Sequence, residues 1–101
     1  MLYSYNTTLA AANSSAILFT TASGKETLVV GARINGGSSG GVVTLVKNDG
    51  NSSVFSEEYA LDAGDVLSLD SKIAFPAGWS WRIISTNAGV SIDVCADVVG
   101  V

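Results

Sequence analysis

The sequence predicts an all-β domain, a single antiparallel β-sandwich of jelly-roll type with about eight short strands. Three observations carry that prediction. Apolar and polar residues alternate with a period of two, the mark of half-buried strands. Turn chemistry recurs at short intervals along all 101 residues. No segment shows the 3.6-residue period of an amphipathic helix.

Residues 1–15 read as an N-terminal strand or arm, able to reach a neighbouring subunit, with "LYSYNTTL" as its strand; residues 16–101 read as the sandwich domain. "ANSSAILFTTAS" holds a strand around Ile17 to Thr20. Leu28, Val30, Ala32 and Ile34 alternate with Val29, Gly31 and Arg33 and predict the next. "INGGSSGGV" then places four glycines in a flexible or irregular loop. Val42 to Val46 form a β-branched run that ends at Asp49-Gly50, a hairpin signal because glycine accepts a positive φ. Asn87-Ala88-Gly89 is expected to close the last hairpin. Beyond it, Val90, Ile92, Val94, Ala96 and Val98 share one face, and Ser91, Asp93, Cys95 and Asp97 the other.

A short internal echo bears on the two tryptophans. "LDAGDVLSL" and "FPAGWSWRI" superpose with a shift of fourteen positions (78 − 64), each placing a glycine before a strand. Leu67 then matches Trp81, and Leu69 matches Ile83, so Trp81 is expected in the core. Trp79 matches Asp65, a turn position, and is expected to stand as a single exposed anchor.

Composition narrows the function classes. Hydrophobic residues make up 48% and charged residues 14%, against a typical quarter for the latter, which suits a domain that covers part of its surface by assembly. A net charge of −4 and scattered basic residues argue against nucleic acid, whose binding needs a basic stripe. No apolar stretch approaches the ~20 residues of a membrane span, and the opening lacks a leader's basic and apolar regions, so neither membrane nor export is expected. The single cysteine forbids an internal disulfide, and the absence of histidine removes the commonest general base and metal ligand. No catalytic residue, metal ligand or cofactor site is expected. Asp49, Asp62 and Asp65 lack calcium-loop spacing and read as caps of local backbone amides. Glu57 and Glu58 are neighbours and point to opposite faces of a strand, which does not suit a glycosidase pair.

Thr21 to Gly24, Asn35, Leu61 to Leu69, Phe75 to Trp81 and Gly89 to Val94 together carry a resemblance. Their turn grammar resembles small β-sandwich proteins in the virions of tailed bacteriophages, of head-decoration (cement) or neck and tail accessory type. The resemblance covers the chain from about Phe19 onward. Trp79 departs from it, where the pattern usually has a small polar or acidic residue. The resemblance implies a non-enzymatic virion protein, assembled in the host cytoplasm, which stabilises the head by bridging capsid subunits. It would partner copies of itself, as a trimer or ring, and major capsid or tail proteins. Tyr3, Tyr5, Trp79 and Arg82 are the interface candidates, because interfaces concentrate energy in Trp, Tyr and Arg. The alternative of another class is a carbohydrate-binding or adhesin module, for which a single exposed ring makes a poor platform.

Overall fold

A computed structural model describes residues 1–70 and 72–101. Nine strands lie among the described residues: β1 (Leu2–Leu9), β2 (Ser14–Thr20), β3 (Lys25–Asn35), β4 (Gly41–Asn48), β5 (Ser53–Leu61), β6 (Val66–Leu69), β7 (Ile73–Phe75), β8 (Ser80–Ser85) and β9 (Val90–Gly100). The ninth, relative to the sequence reading, is the three-residue β7. One sheet runs β1-β9-β3-β6 with β7 also on β3; the other runs β2-β8-β4-β5. Every paired neighbour is antiparallel. Only β4 to β5 and β6 to β7 stay within one sheet; all other connections cross the sandwich, which is jelly-roll wiring.

The core lies between the sheets. Val90, Ile92, Val94 and Ala96 point into it from β9, as the alternation predicts, and meet Val43, Leu45, Trp81 and Ile83 from the facing sheet. Trp81 is 3% exposed, so its match to Leu67 in the echo identified a core position.

Three sequence expectations are corrected. In β3 the inward residues are Thr27 and Val29, then Ala32 and Ile34, while Val30 is exposed. A bulge between Val29 and Gly31 in the ladder to β9 inserts one residue and flips the face. A similar shift between Ile17 and Phe19 in β2 buries adjacent Leu18 and Phe19. The glycine loop is not loose: Gly36 and Gly40 are buried, and a Cβ on Gly37 would lie 2.5 Å from the Gly89 carbonyl oxygen. The N–H of Gly36 donates to Asp65 O (2.8 Å), and that of Gly64 donates to Gly37 O (2.8 Å), stapling this loop to the β5–β6 connection. Asn87-Ala88-Gly89 closes no hairpin, because β8 and β9 belong to different sheets. Residues 1–15 hold the strand expected of them, β1, and the start of β2. β1 pairs with β9 of its own chain from Leu2↔Asp97 to Leu9↔Val90, and the expected boundary after residue 15 falls inside β2.

Candidate interface groove

The two sheets are closed against each other on the β1–β2 side and stand apart on the β5–β7 side. On the open side the β4–β5 hairpin is set by its turn. Asn48 Oδ1 accepts the Gly50 N–H (2.8 Å), and Asp49 Oδ1 accepts those of Asn51 (2.9 Å) and Ser52 (3.0 Å). Asp49 is thus the amide cap expected of it, and these bonds, that from Ser52 foremost, hold its carboxyl below the usual carboxylate range. Asp65 does the same work on the N–H of Asp62 (2.8 Å).

The register Val43↔Tyr59, Leu45↔Glu57 and Lys47↔Phe55 fixes which side chains face inward. Because Val43 and Leu45 are core residues, Tyr59, Glu57 and Phe55 stand on the core side of β5. β5 is the last strand of its sheet, and nothing continues the core over it. Phe55 therefore remains 56% exposed and Val54 47%. The result is a groove of about 420 Å³ between β5 and β7, lined by Phe55, Glu57, Tyr59, Ile73, Trp79 and Trp81 among others.

Two charged groups occupy inward positions here. The Lys47 ammonium donates to the Ala74 carbonyl (2.6 Å) and lies over the rings of Phe75 (4.7 Å) and Trp79 (5.0 Å). It thereby ties β4 of one sheet to β7 of the other, and burial pulls its pKa below the usual lysine value. The Tyr59 hydroxyl donates to a carboxylate oxygen of Glu57. Burial, with the carboxylate's bond and charge, pushes the Tyr59 phenol up to about 12.

Trp79 is positioned by the Pro76–Trp79 turn, in which its N–H donates to Pro76 O (3.0 Å) and Gly78 takes a φ of +84°. The turn is pinned to the end of β2, with Thr21 N–H donating to Trp79 O (2.8 Å) and Gly78 N–H donating to Thr21 O (2.9 Å). Trp79 is half-buried and packed on the core, not fully exposed as expected. The same-face rule for residues two apart holds across the turn, so both tryptophans line the groove.

The other candidates lie elsewhere. Tyr3 and Tyr5 stack at 6.3 Å on β1, and Tyr5 meets Phe19 of β2 at 5.2 Å, so they mark the closed side. Tyr3 is 44% exposed. Arg82 is exposed on the outer face of β8, between the inward Trp81 and Ile83. The four candidates thus fall at three separate places. Sequence reasoning missed Lys47, Phe55 and Tyr59; the available signal was the alternation Phe55-Glu57-Tyr59, a charge set into an aromatic face. Cys95 sits exposed on the outer face of β9. No cluster of three or more His, Cys, Asp or Glu is placed to hold a metal among the described residues. Among the described residues no helix is long and apolar enough to cross a membrane.

No protein-family model matches the chain, and no curated protein matches its sequence. Solved structures share its fold at low identity. A protein of Bacillus endospore appendages, described as disulfide-linked pili, is 15% identical with a TM-score of 0.60, covering 97% of this chain and 84% of that one. The PRD1 vertex protein P5 is 13% identical with a TM-score of 0.55 over 94% of each chain. A pentameric capsid protein from metagenomic phage sequences is 16% identical with a TM-score of 0.50, over 94% of this chain and 60% of that one. At such identities the likeness establishes a fold, and that fold is one found in structural proteins of capsids and pili.

Proposed function

We propose that this chain is a non-enzymatic structural protein of a tailed-phage virion, a capsid decoration (cement) protein that stabilises the head by bridging capsid subunits. The observation that carries the proposal is the open side of the sandwich, an unpaired edge strand above an apolar groove in a domain with only 14% charged residues. An exposed apolar patch of this kind is the usual mark of a contact surface. The fold likeness to a vertex protein and a phage capsid protein supports the location, as does the tailed-phage turn grammar. Tyr3 and Tyr5 lie by one edge and Trp79 by the other, which suits a subunit that meets a partner on each side. A neck or tail position would use the same edges.

The test is content and effect in the particle. Purified virions should hold the protein in numbers comparable to the major capsid protein. Particles lacking it should assemble but lose their genome at lower temperature, and adding back the purified chain should restore them. A few copies per particle would move it to the neck or tail; absence from the particle would refute the proposal. Trp79→Ala should weaken its retention on particles while leaving a folded domain, measured by sedimentation of labelled protein with the capsids.

One observation favours a second reading, a carbohydrate-binding module: aromatic rings line the groove beside Glu57 and Lys47. Against it, the Lys47 ammonium covers the Trp79 ring and Trp81 is buried, leaving little free ring face. Glycan-array binding that Trp79→Ala abolishes would establish this reading instead.

A further inference from the structure

We infer that β5 and the groove beneath it bind an extended segment of a different protein, added as a strand, with apolar residues opposite Phe55 and Tyr59 and basic residues opposite Glu57 and Glu58. The inference rests on the reading of the chain as an assembly subunit and goes further, naming the edge used and the partner's chemistry.

The edge is available. A bulge between Lys47 and Asn48 disrupts the ladder near Val54, but from Phe55 to Leu61 β5 pairs regularly with β4 on one side and, among the described residues, with nothing on the other. Its outer backbone donors and acceptors can therefore pair with an added strand, while alternate side chains of that strand enter the groove. The groove of about 420 Å³ has apolar walls for them in Phe55, Tyr59, Ile73 and Trp79.

Charge decides the occupant. Glu57 faces inward and Glu58 outward, so an added strand meets a carboxylate on each face. If a second copy offered its own β5, any antiparallel register pairing most of the strand would bring glutamate against or beside glutamate, which is unfavourable. The remaining edge strands of a second copy offer no pair of basic residues to meet both glutamates. β1, β2, β6 and β7 contain no Lys or Arg; Lys72, exposed directly before β7, is a single charge; Lys25, Arg33, Lys47 and Arg82 lie on β3, β4 and β8, which have neighbours on both sides. Inward-pointing charge is a known guard against self-pairing of edge strands. Here it leaves room for one complementary class, a strand reading apolar-basic-basic-polar-apolar.

The probe is a synthetic peptide containing Val-Lys-Lys-Thr-Val, which in antiparallel register sets Val opposite Tyr59, Lys opposite Glu58 and Glu57, and Val opposite Phe55. Its counterpart carries Val-Glu-Glu-Thr-Val. The full chain is titrated with each while tryptophan emission and amide hydrogen exchange are followed. The lysine peptide should alter the emission of Trp79, slow exchange of the outward-facing amides of β5, and bind about tenfold or more tightly than the glutamate peptide, with the preference fading in salt. In Glu57→Lys/Glu58→Lys the preference should invert. Glu58→Lys alone, on the outer face and clear of the Tyr59 bond, should reduce it and serves if the double variant fails to fold. Equal affinity for the two peptides, or unchanged exchange in β5, would overturn the inference. So would a tryptophan response to oligosaccharide and not to peptide. None of these outcomes bears on whether the protein is found in virions, so the two readings fail separately.

Discussion

Gly37 and Gly24 occupy nearly the same left-handed backbone region, with φ of +67° and +73°. Their surroundings differ: a Cβ on Gly24 would meet nothing within 4 Å, whereas one on Gly37 would lie 2.5 Å from Gly89 O and 2.9 Å from Gly89 C. Replacing either by alanine costs about 1–2 kcal/mol for the left-handed conformation, offset by a gain of about 0.4–1 kcal/mol from the stiffer unfolded chain. Those contributions cancel in the comparison. What remains is the overlap with backbone of the β8–β9 crossover, which cannot rotate away as a side chain would. Forcing such a contact costs about 1–3 kcal/mol. With a urea m-value of about 1–3 kcal/mol/M for a domain of this size, Gly37→Ala should unfold at roughly 1 M less urea than Gly24→Ala, at equal m. Coincident midpoints would mean that the crossover yields at no cost. The loop would then be the flexible element its composition suggested, and its description as a packed staple would be wrong.

Three further outcomes follow from the core and the groove. Trp81→Ala should cost about 3–5 kcal/mol, a large share of a domain's total of about 5–15, whereas half-buried Trp79→Ala should cost about 1–2 kcal/mol; thermal melts would rank them. The Tyr59 phenol, raised to about 12 from 10.0, stays protonated in the folded protein at pH values where the unfolded chain has lost that proton. Its contribution is therefore fully present below pH 10 and lost as pH rises toward 12, and Tyr59→Phe should remove that part of the decline and the latest phase of the phenolate absorbance titration. Thr21 Oγ1 donates to Thr27 Oγ1 (2.9 Å) with both residues buried, so Thr21→Val should cost about 1–3 kcal/mol by stranding the Thr27 hydroxyl, and Thr21→Val/Thr27→Val should recover part of it in a double-mutant cycle.

How legible the molecule is depends on whether the determining signal is local. The alternation in β9 could be read directly because the strand is regular from Val90 to Ala96, and Asp49-Gly50 announced its hairpin because the turn's bonds all lie within five residues, Asn48 to Ser52. β3 does not follow one alternation because a single unpaired residue, Val30, puts Leu28 on the opposite face from Ala32 and Ile34. Nothing in "LVVGAR" other than Gly31 hints at the bulge. Gly and Asn turns in the sequence look alike whether they close a hairpin or cross between sheets, so Asn87-Ala88-Gly89 could not be told from Asp49-Gly50. Trp79 was misjudged because its exposure is set by Lys47, thirty-two positions away (79 − 47), and by the pinning of its turn to Thr21. The groove itself has no local signature. It exists because β5 ends one sheet where the short β7 gives the other little to lay over it.

That asymmetry sets the two sides of the sandwich apart as surfaces for pairing. On the β1–β2 side the facing strands are drawn together by the ring contact of Tyr5 with Phe19 at 5.2 Å, and the core continues to the edge. On the β5–β7 side the inward positions include Lys47 and Glu57, and Lys47, through its bond to Ala74 and its place over the Phe75 ring, links the sheets there. A second aromatic rung in their place would seal the sandwich and leave β5 a flat neutral edge, the kind most prone to aggregation. Placing the charges inward keeps that edge unattractive to its own copies while leaving Phe55 and Val54 uncovered. The exposed apolar surface and the inward carboxylate of Glu57 act together: on the inference above, they favour a partner strand offering apolar and basic residues over a copy of this chain.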